Sequence, residues 1–198
     1  MIEQKNVIDF FNKQAADWDA QLIRSDEKIR RILDNAEVGN GCRVLDVACG
    51  TGVLIPDYLA RNVSFVTAID IAPEMIRIAE KKFRSCADRV RFICGDVETY
   101  DVGTDYDAIV VYNAFPHFPD PERLIRHLSE LLKEGGILTV AHGASRETID
   151  AHHHGTASMV SNGLMAAEDL AKIFSSCLAV TVIISDDEMY QVAGRKLS

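Results

Sequence analysis

"VLDVACGTG", residues 44–52, is the stretch on which the reading of this chain turns. Val44, Leu45 and Val47 have the pattern of a short buried strand, and Gly50-Thr51-Gly52 has that of a tight turn opening a helix. An acid, Asp46, sits inside the apolar run, and the glycines leave a piece of backbone bare at the strand end. With no Cβ to hold a neighbour away, such a loop invites close approach by a large ligand.

Outward from this loop the chain alternates between two periods. Strands are expected over 43–47, 64–70, 89–95, 106–112 and 137–142, with helices between them over 52–61, 73–84 and 121–133. Pro73 marks one helix start, and Asp120-Pro121-Glu122 marks another with a cap, a proline at the first position and an acid in the first turn. The Gly135-Gly136 pair is expected to end the helix it follows. Upstream, 6–20 reads as a helix, and 27–38 carries Ile29, Ile32, Leu33 and Ala36 on one stripe before Gly39 and Gly41 stop it. Downstream, Ser145 caps a short helix that ends around His152–His154, and another helix spans 166–176. The runs 178–185 and 188–196 are too close for a crossover and must form an antiparallel hairpin. The expected fold is α/β, a doubly wound, Rossmann-like, seven-stranded and mostly parallel sheet with a C-terminal antiparallel strand.

The totals fit one domain. With 198 residues, 47% hydrophobic and 26% charged, the chain can build a substantial core and lacks the bias of disorder. We divide it into an N-terminal helical cap (1–40), a cofactor-binding core (41–142), and a substrate-side segment with the closing hairpin (143–198). A formal charge of −9 repels nucleic acid, so none is expected as a partner. No apolar run approaches the ~20 residues that span a bilayer, and MIEQKNVIDFF lacks a leader's basic and apolar segments. The expectation is a cytoplasmic protein with no membrane partner. Cys42, Cys49, Cys86, Cys94 and Cys177 are odd in number with no C-x-x-C pair, which points to core thiols.

In an open parallel sheet, ligands sit beyond the carboxyl ends of the strands where the winding reverses. Asp70 ends the second strand 18 positions after Gly52, where a carboxylate can accept from both hydroxyls of a ribose; as an alternative, it caps the helix at Pro73. Asp96, at the third strand's end, is a second acid on that rim and could accept from an adenine amino group, or serve as a turn aspartate. Ile55 stands where a dinucleotide fingerprint has its third glycine or alanine.

The ordered set VLDVACGTG, AIDIAPEMI (68–76), FICGDVE (92–98), YDAIVVYNAF (106–115) and LLKEGGILTVAH (131–142) resembles a class I S-adenosylmethionine-dependent methyltransferase of the small-molecule type. The resemblance implies that S-adenosyl-L-methionine is the donor, leaving S-adenosyl-L-homocysteine. It implies that Asp46 and the Ala48, Gly50, Thr51 and Gly52 backbone hold the methionine moiety. Asp70 would take the ribose, Ile71 and Met75 would flank the adenine, Asp96 and Val97 would bind its polar edge, and Asn113 and Ala114 would lie along the methionine end. Enzymes that methylate amide or base nitrogens carry an Asn/Asp-Pro-Pro-aromatic tetrad after the fourth strand. This chain has Asn113-Ala114-Phe115-Pro116-His117 instead, which points away from those substrates.

Methyl transfer from a sulfonium needs alignment and exclusion of water first, and a base only if the nucleophile arrives protonated. His117 and His142, at the ends of the fourth and fifth strands, are the candidate catalytic bases. Phe11, Trp18, Phe115 and Arg146 are candidate acceptor contacts, with Phe10 beside them as a lid residue; Arg146 would hold a carboxylate or phosphate if it is not a surface charge. Converging imidazoles from His117, His142, His152 and His153 would make a transition-metal site, while the plain alternative is helix capping and solvation; His127 reads as a surface residue. Two rival functions share the glycine turn and ribose acid. One is an NAD(P)-dependent oxidoreductase, against which Ile55 and the hairpin count, and the other is a non-catalytic nucleoside-binding module.

Overall fold

The computed structural model describes residues 2–153 and 159–197, the side chains of His152 and His153 excepted. In chain order the elements are α1 (Gln4–Gln14), α2 (Trp18–Gln21), α3 (Asp26–Asn35), β1 (Arg43–Val47), α4 (Ile55–Ala60), β2 (Phe65–Asp70), α5 (Pro73–Lys82), β3 (Val90–Cys94) and β4 (Tyr106–Tyr112). They continue with α6 (Pro121–Leu131), β5 (Leu132–His142), α7 (Arg146–His153), α8 (Ala167–Phe174), β6 (Ala179–Ser185) and β7 (Tyr190–Arg195). One seven-stranded sheet forms with the order β3-β2-β1-β4-β5-β7-β6. Pairs among β1 to β5 are parallel, whereas β7 runs antiparallel to both β5 and β6, so β7 alone is reversed. The winding changes direction between β1 and β4, and a crevice opens beyond their carboxyl ends.

Alternation along each strand builds a core on both faces. Leu45, Val47, Ile109, Val111, Leu138 and Val140 pack against Leu124 and Leu128 of α6 and Leu170 and Phe174 of α8. Their neighbours Val44, Ala68, Ala108 and Val110 point the other way, against Ile29 and Leu33 of α3 and Tyr58 of α4. Strands covered on both sides read as continuous apolar runs, which is how they appear in the sequence. One polar group crosses this packing fully satisfied. Gln191 in β7 donates from Nε2 to the Ile32 carbonyl (3.0 Å) and Thr139 Oγ1 (3.3 Å), and its Oε1 accepts from Asn35 Nδ2 (2.8 Å).

Local signals place most boundaries. Asp120 Oδ1 accepts from the Arg123 amide (3.0 Å) with Pro121 at the first position of α6, and Ser145 Oγ accepts from the Thr148 amide (3.2 Å) at the start of α7. Two expectations are corrected. The helix expected over 6–20 breaks after Gln14 and restarts at Trp18, because Ala15 packs on Ala72 and Met75 while Asp19 turns to accept from Thr51 Oγ1 (2.6 Å) and pair with Lys82 (2.7 Å). Gly135-Gly136 does not end a helix; it lies inside β5, in a bulge between the pairs Tyr106–Leu132 and Ala108–Ile137. There a Cβ on Gly136 would stand 2.8 Å from the Tyr106 carbonyl oxygen, so only glycine lets the backbones lie together. No helix among the described residues is long and apolar enough to cross a membrane.

Candidate functional site

A cavity of about 360 Å³ opens at the carboxyl ends of β1 to β4 under α1 and α2. Asp46, Ala48, Gly50, Asp70, Ile71, Met75, Asp96, Val97, Asn113 and Ala114 all line it, so the described structure gathers ten positions from four strand ends around one space. That is the size and placement of a small-ligand site in an open α/β sheet.

Asp70 organises the floor. Its Oδ2 accepts from the Gly50 amide and its Oδ1 from the Ala72 amide, both at 2.8 Å, so one carboxyl fixes the glycine turn and the entry to α5. Asp70 thus caps the turn into α5, one of its two sequence readings, and the same side chain also faces the cavity. Burial raises its pKa, opposed by hydrogen bonds from the Ala72, Gly50 and Ile71 amides. Asp46 is 2% exposed, and its Oδ2 makes no hydrogen bond of ordinary geometry. Burial and then the charge of Asp70 push its pKa up to about 8, while the Tyr58 hydroxyl beside it pulls the other way. A buried carboxyl left with an open acceptor on a cavity wall fits a cationic or hydrogen-bond-donating ligand group.

The backbone around these acids is unusual. Ala48 (φ +55°) and Asn113 (φ +54°) are left-handed non-glycine residues that follow β1 and β4, on either side of the point where the winding reverses. Strain of this kind persists where the surrounding structure over-determines it, often beside a ligand. Asn113 Oδ1 accepts from the Gly143 amide (3.0 Å), which ties the β4 end to the segment after β5. At the other end, Asp96 Oδ1 accepts from the Glu98 amide (3.0 Å) and Oδ2 from Gln4 Nε2 (2.7 Å), so α1 reaches across to the end of β3.

The remaining candidates divide. Thr51 and Gly52 do not line the cavity: Thr51 is fully buried with its hydroxyl on Asp19, and a Cβ on Gly52 would meet Phe83 Cε2 at 2.6 Å. They shape the loop from behind. Phe11 and Trp18 do line the cavity; Phe11 stands edge-on to Trp18 (5.6 Å between centroids) and to His117 (4.9 Å), and Phe10 packs on its outer side. Trp18 Nε1 lies 3.8 Å from where a Gly50 Cβ would be, so the indole N–H stands over the glycine loop. Phe115 and Arg146 border a separate hollow with Asp150 and Asn162, and Arg146 Nε donates to the Leu164 carbonyl (2.8 Å) with Asp150 at 3.6 Å. Neither residue lines the cavity.

The histidines divide as well. His117 lines the cavity, and its Nδ1 lies 2.7 Å from the Val160 carbonyl, which assigns the proton to Nδ1. His142 is 1% exposed and stands edge-on to Tyr190 at 6.0 Å, its partner across the β5–β7 ladder, so the expected shared rim does not form. His127 Nε2 lies 2.9 Å from the Val97 carbonyl. Among the described residues no group of three His, Cys, Asp or Glu could hold a metal ion, and the side chains of His152 and His153 fall outside those residues. Gln4 and Tyr112, both on the cavity wall, escape sequence reading: an exposed glutamine on a first turn and a tyrosine ending an apolar strand carry no local signal of a site.

Residues 44–136 match a family model described as methyltransferase domain. Among curated proteins, the malonyl-[acyl-carrier protein] O-methyltransferase of Acetivibrio thermocellus is 33% identical over 141 residues, covering 70% of this chain and 49% of that one. The chain spans about half the length, or less, of the curated O-methyltransferases it matches. Among solved structures, the N-methyltransferase NodS of Bradyrhizobium japonicum with S-adenosyl-L-homocysteine superposes with a TM-score of 0.76 at 16% identity, covering 98% of this chain and all of that one (100%). The [4+2]-cyclase SpnF is 25% identical with a TM-score of 0.65, covering 79% of this chain and 59% of that one. Strand order, cavity and family match together define a class I S-adenosylmethionine-dependent methyltransferase fold. It is over residues 44–136 that the chain is similar to that family.

Proposed function

We propose that the cavity binds S-adenosylmethionine and that the chain transfers its methyl group to a small-molecule acceptor in the cytoplasm. One observation carries this reading: Asp46, Asp70 and Asp96, at or just beyond the ends of three neighbouring strands, line a single cavity beside a bare glycine turn. Asp70 has lone pairs left for the ribose hydroxyls after serving Gly50 and Ala72. Asp96 and Val97 meet the adenine edge, Ile71 and Met75 its faces. The open oxygen of Asp46 faces the α-ammonium, with the Ala48–Gly50 backbone, Asn113 and Ala114 along the methionine chain. Trp18, with its N–H over Gly50, is placed to serve the donor's carboxylate.

When bound, the donor supplies an activated sulfonium methyl. The chain's own task is to align and to exclude water, worth ~7–11 kcal/mol in favourable intramolecular cases. Phe11 and Trp18 close the roof. His117, whose Nδ1 proton is directed at Val160, is the base on this wall and takes the nucleophile's proton. His142, Phe115 and Arg146 stand outside the cavity and take no part in this step.

Calorimetric titration tests the donor reading. S-adenosylhomocysteine should bind and NAD should not, and Asp70→Asn should weaken the former by about 1.5–3 kcal/mol, roughly ten- to hundred-fold. Tight NAD binding with no response to S-adenosylhomocysteine would sink it. The likeness to a chain named as a cyclase favours one second reading, in which the nucleoside pocket is kept without transfer. Incubation with labelled donor and a metabolite extract separates the two, since only an enzyme moves the label.

A further inference from the structure

Four carboxyl groups line the cavity, Asp46, Asp70, Asp96 and Glu98, against one guanidinium, Arg123. Arg123 is already engaged: its Nε and Nη2 donate to the two oxygens of Glu98 at 2.6 and 3.0 Å. Among the described residues no lysine and no second arginine reaches this space. Arg146, the cation that could have met an acceptor's carboxylate or phosphate, borders the other hollow and is held by Leu164 and Asp150. The cavity is also lined by apolar and aromatic side chains, Phe11, Trp18, Leu22, Val53, Phe118 and Pro119.

An anionic group on the acceptor would shed its water here and meet no unengaged cationic side chain among the described residues. The transfer balances for an uncharged acceptor. The nucleophile's lone pair forms the new bond to the methyl carbon, the carbon–sulfur pair stays with sulfur, and the nucleophile's proton goes to His117. The positive charge therefore moves from sulfonium to imidazolium, and the net charge of the site does not change in the step.

We propose that the acceptor is an uncharged, mainly apolar molecule presenting a protonated nucleophile such as a hydroxyl, and that the cavity discriminates against acceptors bearing a carboxylate or a phosphate. This rests on the donor reading given under Proposed function. The test uses the full chain and begins with a titration of S-adenosylhomocysteine alone, whose failure to bind would overturn the donor reading itself. With that compound bound and saturating, catechol is titrated against protocatechuate, and dihydroxynaphthalene against its monophosphate ester, so that both members of each pair keep a hydroxyl. In both pairs the uncharged member should bind at least about ten-fold tighter. Equal or tighter binding of either charged member, or no binding of either uncharged one, overturns the proposal while leaving the donor reading standing.

Discussion

The two halves of the rim are built by different means. On the donor side, at the ends of β1, β2 and β3, Asp70 and Asp96 each accept from a backbone amide two positions along the chain, Ala72 and Glu98, and Asp70 also accepts from Gly50 in the loop after the neighbouring strand. On the acceptor side, at the ends of β4 and β5, the side chains are placed by partners 18 to 48 positions further along the chain. Val160 orients His117, Tyr190 covers His142, and Leu164 holds Arg146. A site wired through local turns can be read from a motif. A site wired through later returns of the chain cannot.

This contrast can be strained from both ends. The largest effect is expected at Asp46, the one acid on the donor side with an open oxygen. Its native pKa of about 8 lies above the ordinary carboxyl value of 3.8, so between those limits the folded state holds a proton the unfolded state has lost. Stability of the ligand-free protein should be fullest near the lower limit and fall as pH rises towards the upper one, with a slope approaching about 1.4 kcal/mol per pH unit. Asp70, raised by burial, acts in the same direction. Urea unfolding across that window measures the slope, and Asp46→Asn should flatten most of it; an unchanged slope would remove the buried proton from the account.

Next comes Gly52→Ala, which adds a Cβ 2.6 Å from the Phe83 ring at φ +84°. A loss of about 2–4 kcal/mol in thermal or chemical unfolding is expected, part of it recovered by Phe83→Leu in the same chain. Gly50→Ala, at φ +56° with its nearest neighbour at 3.8 Å, should cost about 1–2 kcal/mol through backbone strain alone. A Gly50 cost exceeding that of Gly52 would mean the turn is held by conformation more than by packing. The smallest effect is expected on the acceptor side. Arg146→Ala should change S-adenosylhomocysteine affinity less than about two-fold and stability by less than about 1 kcal/mol, because its ion pair is partly exposed and outside the cavity. A loss of affinity like that of Asp70→Asn would merge the two halves again.

The alternation of β1 to β5, the closing hairpin and the helix starts at Asp120 and Ser145 were legible because each rests on local chemistry: period-two burial, a proline at the first helical position, a side-chain cap. So were the cavity positions of the three acids, since strand ends carry whatever follows them to one edge of the sheet. The break at Ala15–Asp17 was not, because its cause is Asp19 reaching Thr51 and Lys82. Gly135-Gly136 misled for a related reason: glycines that end helices and glycines that admit a neighbouring backbone look alike until the Tyr106 carbonyl is in place. His142 ends a strand, as read, yet it is sealed by a residue 48 positions later that the motif could not contain.

β7 follows every other strand in the chain and yet lies between two of them, antiparallel to both. During synthesis, β5 therefore emerges with its outer edge unpaired, and β6 waits with no strand to join. Gln191, near the start of β7, is what β5 and α3 are still lacking at that stage. The sheet cannot be completed progressively from the ribosome outward; it is latched by one of its last-made pieces. A nascent chain stalled before Tyr190 should present two open edges to chaperones, and release of β7 should be the step that withdraws them.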